Sequence, residues 1–169
     1  MDKEVFLRLE SSLRQIKTIL LSDPELRKLL YYSSEEVKGS LEDLKDVTIA
    51  AVDGNIFLQM VVDLDTKPPF DKRNYISIYL SNGKCSDEDF MSYALNIQVS
   101  SEKHDWNLKG RIRPLLMASR VAALLDGKKL DMSGPIYFSS IQQVLINDDV
   151  SGYALIFAAG DGAHEKPQS

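Results

Sequence analysis

Apolar residues at the start of the chain recur at helical spacing and predict two helices. Between Val5 and Leu20 they occur every three or four positions, with charged residues on the other faces, which is the pattern of an amphipathic helix of about five turns. Pro24 suits the first turn of a second helix, where its missing N–H has no partner to lose. Within residues 33–52, Gly39 weakens the prediction of a third helix. Two interpretations stay open for residues 47–52, which fit a strand or a final helical turn.

After Asp53 the hydrophobic period changes to two, and the chain is predicted to form strands. Strands are predicted at residues 56–64, 76–80, 91–100, 136–146 and 150–158, with a short turn between the last two. The dipeptide Asn82-Gly83 is expected to close the second of these strands. Pro114 opens a further helix, which continues to Leu125 and stops at a glycine-containing turn.

These elements predict one α+β domain over residues 1–160. Strands that follow one another over short links favour antiparallel pairing. We therefore expect a mainly antiparallel sheet of about five strands, packed against the N-terminal helices and one central helix. Residues 161–169, which are rich in polar and charged side chains, are expected to form a flexible C-terminal tail.

Composition changes this picture only by excluding classes of protein. The single cysteine, Cys85, rules out an intramolecular disulfide and suits a reducing cytoplasm. The chain carries 25 acidic and 20 basic residues, with a net charge of −5, which disfavours tight DNA binding because phosphate contacts need clustered cations. No stretch approaches the roughly 20 apolar residues of a membrane-spanning helix, and the N-terminus lacks the apolar core of a signal peptide.

The titratable residues form no recognisable catalytic or metal-binding pattern. A zinc site needs three or four ligands in register, and Cys85, His104 and His164 do not offer one. For Cys85 with His104 as nucleophile and base, the stronger alternative is an ordinary free cysteine in a polar turn. Gly160 and Gly162 lack the Gly-Lys-Ser/Thr ending of a phosphate-binding loop. We therefore expect no catalytic, cofactor or metal residue, and a protein that is not an enzyme.

Two segments with aromatic and arginine side chains are candidates for contact with partner subunits, since both residue types are enriched at protein interfaces. The first is an arm after the first predicted strand, and the second lies just before the central helix. The candidate residues are Pro68, Pro69, Phe70 and Arg73 in the arm, and Trp106, Arg111 and Arg113 in the second segment. The alternatives are a plain hairpin loop for the arm, and a tryptophan that caps the core beside solvated arginines for the second segment.

Several segments, taken together with their turn residues, resemble a pattern in bacteriophage virion proteins. They are Leu29-Leu30-Tyr31-Tyr32 after two helices, Ser92 to Ser101, Trp106-Asn107-Leu108, Arg113-Pro114 with the helix end Leu125-Asp126-Gly127-Lys128, Gly134-Pro135-Ile136-Tyr137-Phe138, and Asn147 followed by Gly152-Tyr153-Ala154-Leu155-Ile156. The group that they resemble is the tail terminator and tail-to-head joining proteins of long-tailed phages. The resemblance covers most of the chain and departs from the pattern over residues 39–52.

The resemblance implies a structural virion protein without a cofactor or a reaction. Its subunits would form a ring, expected to be hexameric, that caps the tail tube and docks to the head–neck connector proteins, while DNA passes through without specific binding. The protein would be made in the host cytoplasm and located in the virion. Such a ring needs two different patches on each subunit, and we expect the arm and aromatic outer strand faces to supply them. Those aromatic residues are Tyr75, Tyr79, Tyr153 and Phe157.

Three other interpretations stay open. Another virion part, such as a neck completion protein or a tail tube subunit, would also lack catalytic residues. A small intracellular binding module or chaperone would act as a monomer or dimer. An enzyme would have to work with Asp, Glu, Lys or Tyr alone. The assembly state separates a ring from a long tube and from a monomer.

Overall fold

A computed structural model of the chain describes residues 3–58, 74–86, 90–130 and 134–159. Its helices are α1 (Lys3–Ser22), α2 (Pro24–Tyr31), α3 (Ile49–Val52) and α4 (Arg113–Leu125). Its strands are β1 (Ile56–Phe57), β2 (Asn74–Ser86), β3 (Phe90–Glu102), β4 (Asn107–Leu108), β5 (Arg111–Ile112), β6 (Lys129–Leu130), β7 (Gly134–Leu145) and β8 (Val150–Ala159). Short 3₁₀ turns span Leu41–Asp43, Asp53–Asn55 and Lys103–Asp105.

Six strands of the described residues form one curled sheet in the order β1-β2-β3-β8-β7-β6. β1 runs parallel to β2, and every other neighbouring pair in this sheet is antiparallel. β4 and β5 form a separate two-stranded hairpin just before α4. The predicted α+β fold with a mainly antiparallel sheet is therefore confirmed.

The first predicted strand, residues 56–64, is described only at its start. Ile56 and Phe57 form β1, and residues 59–73 lie outside the described part of the chain. The tail predicted at residues 161–169 also lies outside it. The segment with two open interpretations contains the single helical turn of α3.

The dipeptide Asn82-Gly83 lies inside β2 and does not close it, so this turn prediction is wrong. β2 continues to Ser86, and its register against β3 shifts between Ser81 and Lys84. Turn residues adopt the backbone conformations that a β-bulge needs, and a bulge bends a strand without ending its pairing. The same dipeptide is therefore compatible with a bulge as well as with a turn.

The helices pack on one face of the sheet and bury its apolar side chains. α4 contacts β3, β7 and β8, while α1 and α2 contact β2. Leu95, Ile97 and Val99 alternate along β3 and all point into this core, as their spacing predicts. At the N-terminus of α2, the carboxylate of Asp23 accepts from the backbone N–H of Leu26 at 2.6 Å and pairs with Arg120 of α4.

Two of the aromatic residues expected on outer strand faces are buried. Phe157 is 0% exposed, and its ring meets that of Phe138 edge-on at 5.8 Å. Tyr75 is buried on the opposite face of the sheet, where its ring lies 6.1 Å from that of Phe57, and this burial raises the pKa of Tyr75 to about 12. Alternation separates the two faces of a strand, but it does not determine that one of them is open to solvent.

Gly152 of β8 lies where the backbone of β3 leaves no room for a side chain. A Cβ atom at this position would lie 1.8 Å from the carbonyl oxygen of Val99. The close approach occurs within a regular antiparallel ladder in which Gly152 pairs with Ser100. A glycine is therefore required here by packing against backbone.

We expect Gly152→Ala to lower the free energy of unfolding by about 3 kcal/mol, because the added methyl group must push two paired strands apart. Chemical denaturation followed by circular dichroism measures the loss. Ser140→Ala, at an exposed position of β7, is the control and should change the free energy by less than about 0.5 kcal/mol. Equal stability of the two variants would contradict the packing argument.

Candidate assembly surface

The structure places some of the predicted contact residues and leaves others untested. The arm residues Pro68, Pro69, Phe70 and Arg73 lie outside the described part of the chain, so their role stays a prediction. Trp106 is half-buried: its Nε1 donates to the carbonyl oxygen of Ser101 at 3.1 Å, and its ring lies 6.3 Å from that of Tyr153. Arg111 is exposed on β5. Trp106 thus covers the core beside β8, and Arg111 remains on the surface.

Arg113, a predicted contact residue, is fully buried at 0% exposure. Its Nη1 donates to the carbonyl oxygens of Leu29 at 2.8 Å and of Tyr32 at 2.5 Å. Its Nε donates to the carbonyl oxygen of Asp105 at 3.0 Å. A cation is buried only where groups of this kind replace the water that it loses. Arg113 therefore stabilises the fold from inside and is not available for contact with another subunit.

Asp105 supplies the negative charge beside Arg113. Its carboxylate accepts from the backbone N–H of Ser34 at 2.8 Å and from the side-chain amide of Asn74 at 3.2 Å. Burial by itself raises the pKa of Asp105, but these hydrogen bonds and the charge of Arg113 together lower it below the ordinary value of 3.8. Asp105 is therefore ionised at neutral pH, and its hydrogen bonds together with those of the neighbouring Arg113 link α2, β2 and α4.

β7 has an open edge. β6 pairs only with the first two residues of β7. Among the described strands, no partner therefore lies along β7 from Phe138 to Leu145 on the side away from β8. No charged residue occurs between Asp131 and Asp148. Sheets usually protect an edge with charges, prolines or bulges. Of these devices, the open part of β7 has only the shift in register just before Ser140.

Three apolar side chains of β7 are exposed on the face of the sheet that carries the helices. The exposed fraction is 40% for Phe138, 45% for Ile141 and 69% for Leu145. Phe138 lies opposite Phe157 and Ile141 lies opposite Leu155, and both partners belong to the core under the helices. The helix layer therefore covers β8 and leaves the outer row of β7 uncovered.

One flank of α4 borders this row. The carboxylate of Asp126, at the end of α4, accepts from the backbone N–H of Phe138 at 2.9 Å. Ala122 and Leu115 precede Asp126 by one and three helical turns, so they lie on the same flank. Leu115 is also exposed. We term this region the β7 surface: it consists of the free edge of β7 and the residues Leu115, Phe138, Ile141 and Leu145.

A second concave surface lies on a different flank of α4. A groove of about 360 Å³ is enclosed by α2, residues 37–46 and the β4–β5 hairpin. Leu116 of α4 contributes to it, on the flank that turns toward α2 and carries Arg120. Val37 and Leu108 line it with buried apolar side chains, and Lys28 and Arg111 contribute cations beside acidic neighbours. This surface is termed the α2 groove.

The β7 surface suits addition of a strand from another chain, because a free edge supplies backbone donors and acceptors and its apolar neighbours supply packing. Sequence reasoning predicted the strand but not its exposure. The signal was the long run without charge between Asp131 and Asp148, because an edge strand of a monomeric protein normally carries charged residues.

Two other kinds of site are absent from the described residues. They contain no group of three or more His, Cys, Asp or Glu side chains that could hold a metal ion. No described helix is long and apolar enough to cross a membrane.

Within the described part of the chain, the fold and this surface define an α+β protein with an open, uncharged sheet edge. The family model YomW matches residues 23–159, from the N-cap of α2 to the end of β8, and the chain belongs to the YomW family. The family name comes from a Bacillus prophage-like gene, which associates the chain with phages. No curated protein matches the chain.

Replacing Arg113 by methionine tests the buried hydrogen bonds of its guanidinium. The variant removes the positive charge near the Asp105 carboxylate and the donor to the carbonyl oxygens of Leu29 and Tyr32, so we expect a loss of about 3–5 kcal/mol in the free energy of unfolding. Urea denaturation at neutral pH measures it. Arg111→Met, on the exposed β5 strand, is the matched control and should stay within about 0.5 kcal/mol of the parent. A similar loss in both variants would reject the assigned role.

Proposed function

We propose that this chain is a structural subunit of a phage virion, a tail terminator whose ring caps the tail tube and joins it to the head–neck connector. The observation that carries the proposal is the β7 surface, an open uncharged edge beside exposed apolar side chains. Assembly through such a surface uses apolar packing and involves no reaction. In this proposal the protein is not an enzyme and uses no cofactor.

A closed ring needs two different patches that meet head to tail with a rotation that returns to the start. The β7 surface and the α2 groove lie on different flanks of α4, so one subunit can use both at once. The groove offers the partly exposed apolar side chains of Leu41 and Leu116, which suit the exposed side chain of Leu145. In the proposed ring, the β7 surface of one subunit packs against the α2 groove of the next, and Arg111 lies at this contact.

Phage association and charge support the remaining parts of the proposal. The YomW family name links the chain to a prophage-like gene. The net charge of −5 favours a ring whose channel repels phosphates, so that DNA passes without binding. The proposed partners are further copies of the chain, the tail tube protein and the connector proteins. The proposed location is the tail or neck of the virion, after synthesis in the host cytoplasm.

Light scattering over a concentration series, with negative-stain images of the same samples, tests the ring. We expect discrete rings near six times the subunit mass of 19.0 kDa, in a proportion that rises with concentration. Ile141→Lys should reduce ring formation at least tenfold, because it places a charge in an apolar contact that loses its water. Circular dichroism should show an unchanged fold for this variant, since Ile141 is exposed in the subunit.

The control for this experiment is Ala50→Lys, which adds the same charge at an exposed position of α3 and should leave the rings intact. Long tubes in place of rings would favour a tail tube subunit. Wild-type protein that forms no ring at any concentration, or an Ile141→Lys variant that forms rings normally, would contradict the proposal.

A further inference from the structure

The free edge of β7 is compatible with pairing to its own copy. When a strand pairs with itself across a two-fold axis, any charge near the axis lies close to a like charge and the pairing is destabilised. The run between Asp131 and Asp148 has no charged residue, and its part from Phe138 to Leu145 is exposed at nearly every position. A second copy of the chain is therefore a partner that this edge accepts without repulsion.

One antiparallel register matches the exposed side chains of β7 to each other. If Gln143 lies opposite Gln143 of a second copy, Ile141 lies opposite Leu145 of that copy, and Leu145 opposite its Ile141. Two apolar pairs then flank a pair of side-chain amides, each of which donates and accepts. Shifting the centre by one residue in either direction places Ile141 or Leu145 opposite Gln143 and removes both apolar pairs.

We infer that free subunits form a two-fold dimer by antiparallel pairing of residues 141–145 of β7, centred on Gln143. The two-fold axis keeps both helix layers on the same side of the combined sheet. The exposed rows of Ile141 and Leu145 from the two copies therefore meet at the centre of the dimer and are covered there. The contact uses backbone hydrogen bonds along the edge and apolar packing beside it.

This dimer has a regulatory consequence, which rests on the proposed function. The dimer covers the same edge of β7 that the ring contact requires, so a given subunit takes part in one or the other. Free subunits held as dimers are protected from uncontrolled edge-to-edge association. Ring formation then requires that the β7 pair separates.

A single-cysteine variant tests the register. Gln143→Cys in a Cys85→Ser background places two thiols directly opposite across the axis, where Cα atoms of antiparallel strands lie about 4.5–5.5 Å apart, within reach of a disulfide. We expect a covalent dimer after mild oxidation, seen by non-reducing electrophoresis. Gln142→Cys in the same background is the matched control: it lies opposite Val144 of the second copy, on the other face, and should cross-link at least tenfold less.

Equal cross-linking of the two variants, or no cross-linking of Gln143→Cys, overturns the proposed pairing. Oxidised Gln143→Cys should also form fewer rings than the reduced sample of the same variant. Cross-linked dimers that give no rings even after reduction, together with wild-type protein that forms none, keep the pairing and reject the tail terminator proposal. If Gln143→Cys does not cross-link but still forms rings, the pairing is rejected and the tail terminator proposal is kept.

Discussion

The guanidinium of Arg113 connects parts of the fold that are far apart along the chain. It donates to Leu29 near the end of α2 and to Asp105 just after β3. The carboxylate of Asp105 accepts in turn from Ser34 and from Asn74 at the start of β2. Because a buried charge that loses its hydrogen-bond partners costs free energy, these bonds hold the N-terminus of α4 at one position against α2 and the sheet.

The exposure of β7 follows from this position of α4. Arg120 pairs with Asp23 at the N-terminus of α2, so one side of α4 is held against the other helices. The opposite flank, which carries Leu115, ends at the hydrogen bond between Asp126 and the start of the open part of β7. Leu115 on that flank and Ile141 of β7 are both exposed. The row that includes Ile141 is therefore left uncovered, although its composition resembles that of a buried strand.

An uncharged open edge makes a monomeric protein prone to aggregation, but it gives an assembling protein a surface for contact with its partner. In this chain the edge lies beside an apolar row, so the same partner can satisfy backbone groups and cover side chains. The structural role proposed for a YomW family member makes use of both properties. Pairing of free subunits through the same edge would hold it covered until assembly, and the bulge before Ser140 limits how much of β7 is straight enough to pair.

Local periodicity by itself determined α1, α2, α4, β3 and the β7–β8 hairpin, because each depends on residues that are close in sequence. The spacing of the titratable residues predicted no catalytic or metal site, and this stays a prediction. The burial of Arg113 and Phe157, and the position of β7 at an open edge, were decided only by the tertiary structure. Strand order and the reach of the helix layer arise from contacts between distant segments, and alternation along one strand contains no information about which neighbour, if any, will cover it.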